Sequence, residues 1–178
     1  MLRGKNVTLR ALRRDDLVRL NAFNNDLNVE LAGGGDPPMP QSLARLNAEF
    51  EASASKGGRD DANFAIEVEG LFIGVCALFE FDFTARTCQL GITIGDSNFW
   101  GKGYGSEAIS LLLDYAFRYR NLRRVWLKVH GQNQRAQRTY RRLGFIKEGE
   151  LRSHVYSNGS YDSLLLMGIL RSEWKEVR

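Results

Sequence analysis

The segment NFWGKGYGSEA, residues 98–108, is the most informative stretch of this chain. Three glycines alternate within it, at Gly101, Gly103 and Gly105. An apolar run over 89–94 precedes the segment and a periodic apolar stretch over 106–119 follows it, which predicts a buried strand, a tight turn and a helix. Such a turn exposes backbone N–H groups at a helix N-terminus, where unpaired donors and the helix dipole both favour an anion. We therefore predict a site for a phosphate or pyrophosphate here.

Length and composition predict one ordinary globular domain over residues 1–178. Of these 178 residues 43% are hydrophobic and 26% charged, which is enough apolar material for a single core. No apolar run reaches the roughly 18 residues that cross a bilayer, and the N-terminus lacks the apolar segment of a signal peptide. The two cysteines, Cys76 and Cys88, lack metal-binding spacing. We therefore expect no metal, no disulfide framework, no membrane partner and a cytoplasmic location.

Charge is distributed unevenly along the chain. The net charge is +4, but residues 115–147 contain ten Lys or Arg and no Asp or Glu. An acid-free basic segment favours an anionic partner, and both nucleic acid and a multiply phosphorylated cofactor meet that requirement. A solvated basic helix face is the alternative that needs no ligand.

The hydrophobic periodicity predicts an α/β (α+β) domain with the element order βααβββαβαββ. Before the glycine segment we predict a strand at 6–12, a helix from Asp15 and Asp16, a loop at 33–40, a helix at 41–55, a polar stretch at 53–61, and strands at 63–68, 71–79 and 89–94. After it we predict a strand at 125–129, a helix at 133–143 closed by Gly144, and strands at 145–156 and 161–170 joined by Asn158-Gly159. The result is a mostly antiparallel sheet of about seven strands with about four helices.

Two common phosphate-binding motifs do not fit the glycine segment. Gly103-x-Gly105-x-x-Ala108 matches the dinucleotide fingerprint, but that fingerprint requires an acidic residue at the end of the next strand. Here that strand ends at Lys128-Val129-His130, inside the segment 115–147 that has no acidic residue. A P-loop is excluded as well, because no Gly-Lys-Ser/Thr closes the turn.

Four motifs in the right order resemble the GCN5-related N-acetyltransferase (GNAT) superfamily. Residues 100–105 resemble its acyl-CoA pyrophosphate loop, and Asn133-x-x-Ala136-x-x-x-Tyr140-x-x-x-Gly144-Phe145 resembles the motif that follows its fifth strand. Residues 9–16 and 148–174 resemble the branch that contains ribosomal-protein N-terminal acetyltransferases and spermidine acetyltransferase. The resemblance covers essentially the whole chain, and it implies a single GNAT-like domain.

The resemblance implies direct transfer of the acetyl group of acetyl-CoA to a primary amine in a ternary complex. The acceptor would be a protein N-terminal α-amine or a small-molecule amine such as a polyamine. The family's pyrophosphate contacts fall on the amides of Trp100, Gly101, Lys102, Gly103, Tyr104, Gly105 and Ser106, and its pantetheine contacts on Ile92, Thr93, Ile94, Asn133 and Ala136. Lys102, Arg135 and Arg138 would face the 3′-phosphate side.

Two residues of the downstream motif have structural alternatives. Tyr140 would protonate the leaving thiolate, although an amphipathic tyrosine at the edge of the core also fits this position. Asn133 would contact the pantetheine arm, and Asn is also a favoured N-cap at a helix start.

The identity of a general base stays open. Gln89 stands where the branch often has Glu, and an amide cannot accept the proton. An α-amine, with a pKa near ~7.7–8, is partly neutral at pH 7, whereas a lysine-like or polyamine nitrogen has a pKa near ~10.4. The sequence therefore slightly favours an α-amine or a small primary amine, with Glu80, Asp82 and His154 as candidate bases and solvent as the alternative.

Two other functions remain possible from the sequence. The first is a basic module that binds nucleic acid or the ribosome, which we do not expect because the basic window coincides with the cofactor half of the motif. The second is an acyl-CoA sensor with degenerate catalysis. We expect a monomer or a homodimer.

Overall fold

The computed structural model describes residues 1–33, 39–56 and 61–175. The predicted loop at 33–40 and the polar stretch at 53–61 fall partly outside these residues. Five helices lie in the described part: α1 (Leu17–Asn24), α2 (Leu27–Gly33), α3 (Leu43–Lys56), α4 (Tyr104–Asp114) and α5 (Gln134–Arg142). Short 3₁₀ turns at Arg14–Asp16 and Ser97–Phe99 precede α1 and α4, and a π-helical turn at Tyr115–Tyr119 extends α4. No helix of the described residues is long and apolar enough to cross a membrane.

Eight strands of the described chain form one sheet. They are β1 (Leu2–Arg3), β2 (Val7–Arg10), β3 (Ala62–Val68), β4 (Leu71–Asp82), β5 (Thr87–Ile94), β6 (Arg124–His130), β7 (Ile146–Ser157) and β8 (Ser160–Leu170). Their spatial order is β1-β2-β3-β4-β5-β6-β8-β7, and every neighbouring pair is antiparallel except β5 and β6. The mixed, mostly antiparallel α/β fold predicted from the sequence is confirmed.

One face of the sheet carries the main core. Alternating residues such as Leu9, Ile66, Leu78 and Leu127 point to this face, and each is at most 1% exposed. Helix α4 covers them with the side that its periodicity predicts: Ala108, Ile109, Leu112, Leu113, Ala116 and Phe117. Because the pattern changes from period two to period 3.6 between β5 and α4, strand and helix bury complementary faces against each other.

The opposite face is covered near β2 to β4 by the N-terminal helices. Arg10 points to this side and forms a bidentate ion pair with Asp16 (Nη1–Oδ2 2.7 Å, Nη2–Oδ1 2.9 Å). The Arg10 Nε–H also donates to Glu67 at 2.5 Å. On the same side Phe23 of α1 stacks on Phe72 of β4. The motif at residues 9–16 is therefore structural, because it fixes the N-terminal helices to the sheet.

Two elements exceed the predicted count. Strand β1 has only two residues and pairs with β2, so no periodicity could reveal it. Helix α2 has seven residues, and its first turn is held by Asp26, whose Oδ1 accepts the N–H of Asn28 at 2.9 Å. No separate element was predicted between the first helix and the loop at 33–40.

Candidate active site at the fork between two strands

The parallel strands β5 and β6 pair over only three residues and then diverge. Thr87, Cys88 and Gln89 pair with Arg124, Val125 and Trp126, and no later residue of β5 pairs with β6. The gap between residues 90–94 and 127–130, here called the fork, opens into a cavity of about 270 Å³. Its walls come from α2, β5, the glycine segment, α4, β6 and α5: Val29, Ala32, Ile92, Thr93, Ile94, Phe99, Trp100, Gly101, Gly103, Gly105, Ser106, Ile109, Lys128, Val129, Asn133, Arg135, Ala136, Arg138, Thr139, Tyr140 and Arg142.

The glycine segment forms one rim of this cavity. Gly101 (φ +74°) and Gly103 (φ +88°) adopt left-handed conformations that residues with a Cβ rarely take. Helix α4 begins immediately afterwards, with Gly103 as its N-cap. Within the described residues, the N–H groups from Gly101 to Ser106 donate to no protein acceptor, and the first intrahelical bond of the turn is that of Glu107 to the Gly103 carbonyl at 3.0 Å. Six adjacent free donors at a helix N-terminus suit a pyrophosphate.

Aromatic and charged contacts hold this rim in place. The Trp100 indole N–H donates to the Ile94 carbonyl at 2.7 Å, which ties the segment to the end of β5. The guanidinium of Arg135 lies over the Trp100 ring, 4.3 Å from its centroid, and so connects the rim to α5. At the other end Glu107 accepts the backbone N–H groups of Asn6 (2.7 Å) and Val7 (3.0 Å). Burial raises the pKa of Glu107, but these bonds outweigh it and the pKa is lowered.

The cavity is strongly cationic. Four basic side chains line it: Lys128, Arg135, Arg138 and Arg142. Of its lining residues, all of which belong to the described chain, none is Asp, Glu or His. The remaining basic residues of the 115–147 window lie elsewhere, and Arg124, for example, pairs with Glu148 on β7. An anionic ligand with several phosphates fits a cavity of this charge.

Tyr140 lies on the last turn of α5 and faces the cavity. It is 8% exposed, and its ring packs edge-to-face on Phe145 with 5.8 Å between centroids. Its hydroxyl makes no hydrogen bond to another described residue. Burial raises the pKa of Tyr140 to about 12, so the phenol stays protonated at neutral pH. In this state the side chain is a hydrogen-bond donor and not a base.

Asn133 performs the structural role that its position predicts. Its Oδ1 accepts the N–H of Ala136 at 3.0 Å and so caps α5. Its Nδ2 donates to the carbonyl of Ala32 in α2 at 2.6 Å. The residue therefore connects α5 to α2 across the cavity, and its second amide hydrogen makes no bond to a described residue.

Helix α2 supplies the wall that sequence reasoning missed. Val29 is 2% exposed and lines the cavity together with Ala32, and the helix contacts β5. Since α2 lies on the sheet face opposite α4, the cavity passes through the fork and has walls on both faces. Lys128 and Val129 of β6 were also missed as lining residues, although they belong to the predicted strand.

Most of the predicted site residues surround this one cavity. Tyr140, Ile92, Thr93, Ile94, Trp100, Gly101, Gly103, Gly105, Ser106, Asn133 and Ala136 all line it. Lys102 and Tyr104 do not: the Lys102 ammonium lies over the Phe99 ring at 5.7 Å, and Tyr104 packs on the same ring. Their backbone N–H groups are still among the six, from Gly101 to Ser106, that donate to no acceptor in the described chain.

None of the candidate bases from the sequence reaches the fork. Glu80 is exposed at the end of β4 with φ +50°. The Asp82 carboxylate accepts the Ala85 N–H at 2.7 Å within the same turn. His154 is exposed on β7. Gln89, in contrast, is 8% exposed and lies where β5 and β6 separate.

Comparison with known proteins identifies the family. Residues 6–146 match the model of the acetyltransferase (GNAT) domain. The spermidine N(1)-acetyltransferase of Vibrio cholerae is 31% identical over 94% of this chain and 95% of that protein. The spermidine N(1)-acetyltransferase of Escherichia coli is 29% identical over 94% of this chain and 88% of its own length. The putative ribosomal N-acetyltransferase YdaF of Bacillus subtilis is 31% identical over 60% of this chain and 58% of its own.

A solved structure agrees with these relatives. The crystal structure of the Vibrio cholerae spermidine N-acetyltransferase in complex with CoA and spermine superposes with a TM-score of 0.86 at 29% identity, over 96% of this chain and 98% of that one. The chain belongs to the GNAT acetyltransferase family, and it is an enzyme of the acyltransferase class.

Proposed function

We propose that this GNAT acetyltransferase binds acetyl-CoA in the fork cavity and transfers the acetyl group to a primary amine of a small polyamine-type molecule. The observation that carries the proposal is the cavity itself: four basic side chains, no acidic one among its lining residues, and a rim of six free backbone donors. An anionic co-substrate with a pyrophosphate matches both features.

The residues divide the binding and the chemistry between them. The N–H groups from Gly101 to Ser106 hold the pyrophosphate, and Arg135 and Arg138 balance further phosphate charge. When bound, acetyl-CoA supplies an activated acyl group. The phenol of Tyr140, which is 8% exposed, then donates a hydrogen bond where negative charge develops on the departing sulfur.

The acceptor approaches from the face that α2 covers. Val29 and Ala32 are the cavity walls on that face, whereas α4 and α5 occupy the other. The relatives named for spermidine, and the neighbour solved with CoA and spermine, support a polyamine as the acceptor class.

A protein N-terminal α-amine is the second candidate acceptor. It is favoured by the absence of Asp, Glu and His among the cavity-lining residues of the described chain, since an α-amine is partly neutral without a base. The similarity to the putative ribosomal N-acetyltransferase also supports it. We further infer that the domain occupies residues 1–178 and functions in the cytoplasm.

Calorimetry with acetyl-CoA, followed by a thiol-release assay over a panel of amines, tests the proposal. We expect one acetyl-CoA site per chain and faster thiol release with spermidine than with a peptide that offers only an N-terminal amine. Binding of acetyl-CoA without release from any amine would instead identify a sensor. Salt-sensitive binding of RNA with no acetyl-CoA binding would refute the enzyme.

A further inference from the structure

A second cavity adjoins the fork cavity on the side that α2 covers. It has a volume of about 330 Å³ and lies between α2, the turn from β6 into α5, and the β7–β8 hairpin. We call it the hairpin cavity. Four residues line both cavities: Ala32, Trp100, Asn133 and Arg135. Because the proposed acceptor approaches from this side, an amine too long for the fork extends into the hairpin cavity.

The hairpin cavity differs from the fork cavity in charge. Among the described residues that line the two cavities, Asp162 of β8 is the only one with a carboxylate, and it lines the hairpin cavity alone. The one Lys or Arg on the walls of the hairpin cavity is Arg135, whose guanidinium lies over the Trp100 ring at the glycine rim. The hairpin cavity therefore offers a negative charge to the far end of a ligand that begins in the cationic fork.

The Asp162 carboxylate is nearly buried and has no strong cationic partner. Its side chain is 12% exposed, and no Lys or Arg of the described chain forms an ion pair with it. The Nδ1 atom of His130 lies 3.9 Å from its Oδ2, which is too long for a hydrogen bond. Buried charges in proteins are normally paired, because an isolated charge is costly to remove from water. A cationic ligand would supply the missing partner.

Two backbone bonds fix this carboxylate and leave it able to accept more. Its Oδ2 accepts the N–H of Gln132 at 3.0 Å, and its Oδ1 accepts the N–H of Ser163 at 2.8 Å. An ionised carboxylate has about four lone-pair sites, so about two remain for a ligand in the cavity. An ammonium group, which has three N–H donors and no acceptor, matches these sites.

We propose that the hairpin cavity binds the second ammonium of a diamine or polyamine acceptor, with Asp162 as its counter-ion. The first nitrogen of the same molecule lies in the fork and receives the acetyl group. This inference rests on the proposed acetyl transfer, and it names the acceptor class as an amine with a second cationic nitrogen further along its chain. Asp162 sets this specificity and takes no part in making or breaking bonds. A monoamine leaves its carboxylate without a partner.

The test measures kcat/KM by thiol release for pairs of amines that differ only in the second charge. Straight-chain diamines from putrescine to diaminooctane are each matched with the n-alkylamine of the same number of non-hydrogen atoms. For the diamine length that reaches Asp162, we expect wild type to prefer the diamine by roughly 10- to 100-fold, as a charge-assisted hydrogen bond provides. In Asp162→Asn this preference should fall to within about threefold of one. Comparing the two enzymes on the same pairs cancels differences in amine basicity.

Asp82→Asn is the matched control. It changes the net charge equally and alters a carboxylate that accepts a backbone N–H, that of Ala85 at 2.7 Å, but Asp82 lines neither cavity. We expect this variant to keep the diamine preference of wild type. Ser157→Lys is a second test, which decides if Asp162→Asn does not fold. It keeps both backbone bonds of Asp162 and adds an ammonium to the hairpin cavity, so the diamine preference should fall here as well.

Three results overturn the proposal. They are a wild-type preference near one at every diamine length, a preference that survives in Asp162→Asn or, where that variant does not fold, in Ser157→Lys, and an equal loss of preference in Asp82→Asn. In each case turnover of the n-alkylamines leaves the proposed acetyl transfer standing. Wild-type enzyme that releases no thiol with any amine would instead refute the proposed function, and the inference would fall with it.

Discussion

Replacing Tyr140 by phenylalanine removes one oxygen atom from a ring that is 8% exposed and packs on Phe145. That oxygen makes no hydrogen bond to another described residue. The variant therefore loses no hydrogen bond within the described chain, and we expect Tm and acetyl-CoA affinity to match those of wild type. Any loss of activity then reports on the reaction alone.

The size of the expected loss follows from the acidity of the phenol. Burial raises the pKa of Tyr140 to about 12. A thiol has a pKa of roughly 8.5, so complete transfer of the phenol proton to the thiolate is uphill by about 3.5 units, or roughly 5 kcal/mol. The phenol therefore acts through a hydrogen bond to the developing charge. Such a bond contributes about 1.5–3 kcal/mol, so we expect kcat for Tyr140→Phe to fall by roughly 10- to 160-fold.

Thiol release under saturating acetyl-CoA and amine measures this change in kcat. Because Tyr140 stays protonated at all pH values below about 12, the ratio of wild-type to variant kcat should be the same at pH 7 and pH 9. Full turnover by the variant would show that the hydroxyl takes no part in the reaction. A ratio that changes with a midpoint between these pH values would show that the phenol titrates there, which contradicts its burial.

Further predictions concern the glycine rim and the N-terminal ion pair. In Gly103→Ala, at φ +88°, the free rim should relax out of the left-handed conformation. Acetyl-CoA binding in calorimetry should then weaken by roughly 5- to 30-fold, because the bound rim must regain a conformation that costs alanine about 1–2 kcal/mol. Gly105→Ala is the matched control for the fold: its Cβ would meet only Ile94 at 3.8 Å, and Tm without ligand should hold or rise. Asp16→Asn leaves Arg10 with Glu67 as its one carboxylate partner among the described residues, and the loss of the bidentate pair should cost about 1.5–3 kcal/mol in denaturant unfolding. Burial raises the pKa of Asp16, but the bonds from Arg10 and Arg13 outweigh this and lower it. Wild type should therefore lose the stability that the Arg10–Asp16 ion pair provides as pH falls below about 4. If Asp16→Asn loses the same amount of stability over this pH range, the ion pair is not the cause.

The helices and strands whose hydrophobic pattern repeats several times could be predicted from the sequence. The apolar side of α4 and the alternation of β3, β5 and β6 extend over several repeats, so their identity follows from the residues alone. The hairpin between β7 and β8 was equally clear, since Asn158 (φ +48°) and Gly159 (φ +78°) adopt the left-handed turn that their pair predicts. The two-residue β1 and the seven-residue α2 carry too few repeats to be visible.

The candidate site was predictable on its cofactor side only. Local motifs specify the glycine rim and α5, because each consists of residues close in sequence. The wall formed by Val29 and Ala32 depends on how α2 lies against β5, which is a long-range contact with no local signal. In the same way, the sequence shows only that glutamine replaces an expected glutamate at position 89. That the Oε1 of Gln89 is buried without a hydrogen-bond partner is visible only in the folded structure.

Because β5 and β6 pair over so short a length, the sheet divides into two parts beyond Gln89. Three residue pairs join the strands, and Ile94 lies five residues beyond the last of them, roughly 16 Å along the strand. Beyond Gln89 each strand stays paired with its outer neighbour only, β5 with β4 as far as Ile94 and β6 with β8 as far as His130. The width of the fork at its open end therefore depends on how these two separately paired parts of the sheet are held together by the helices that pack on them.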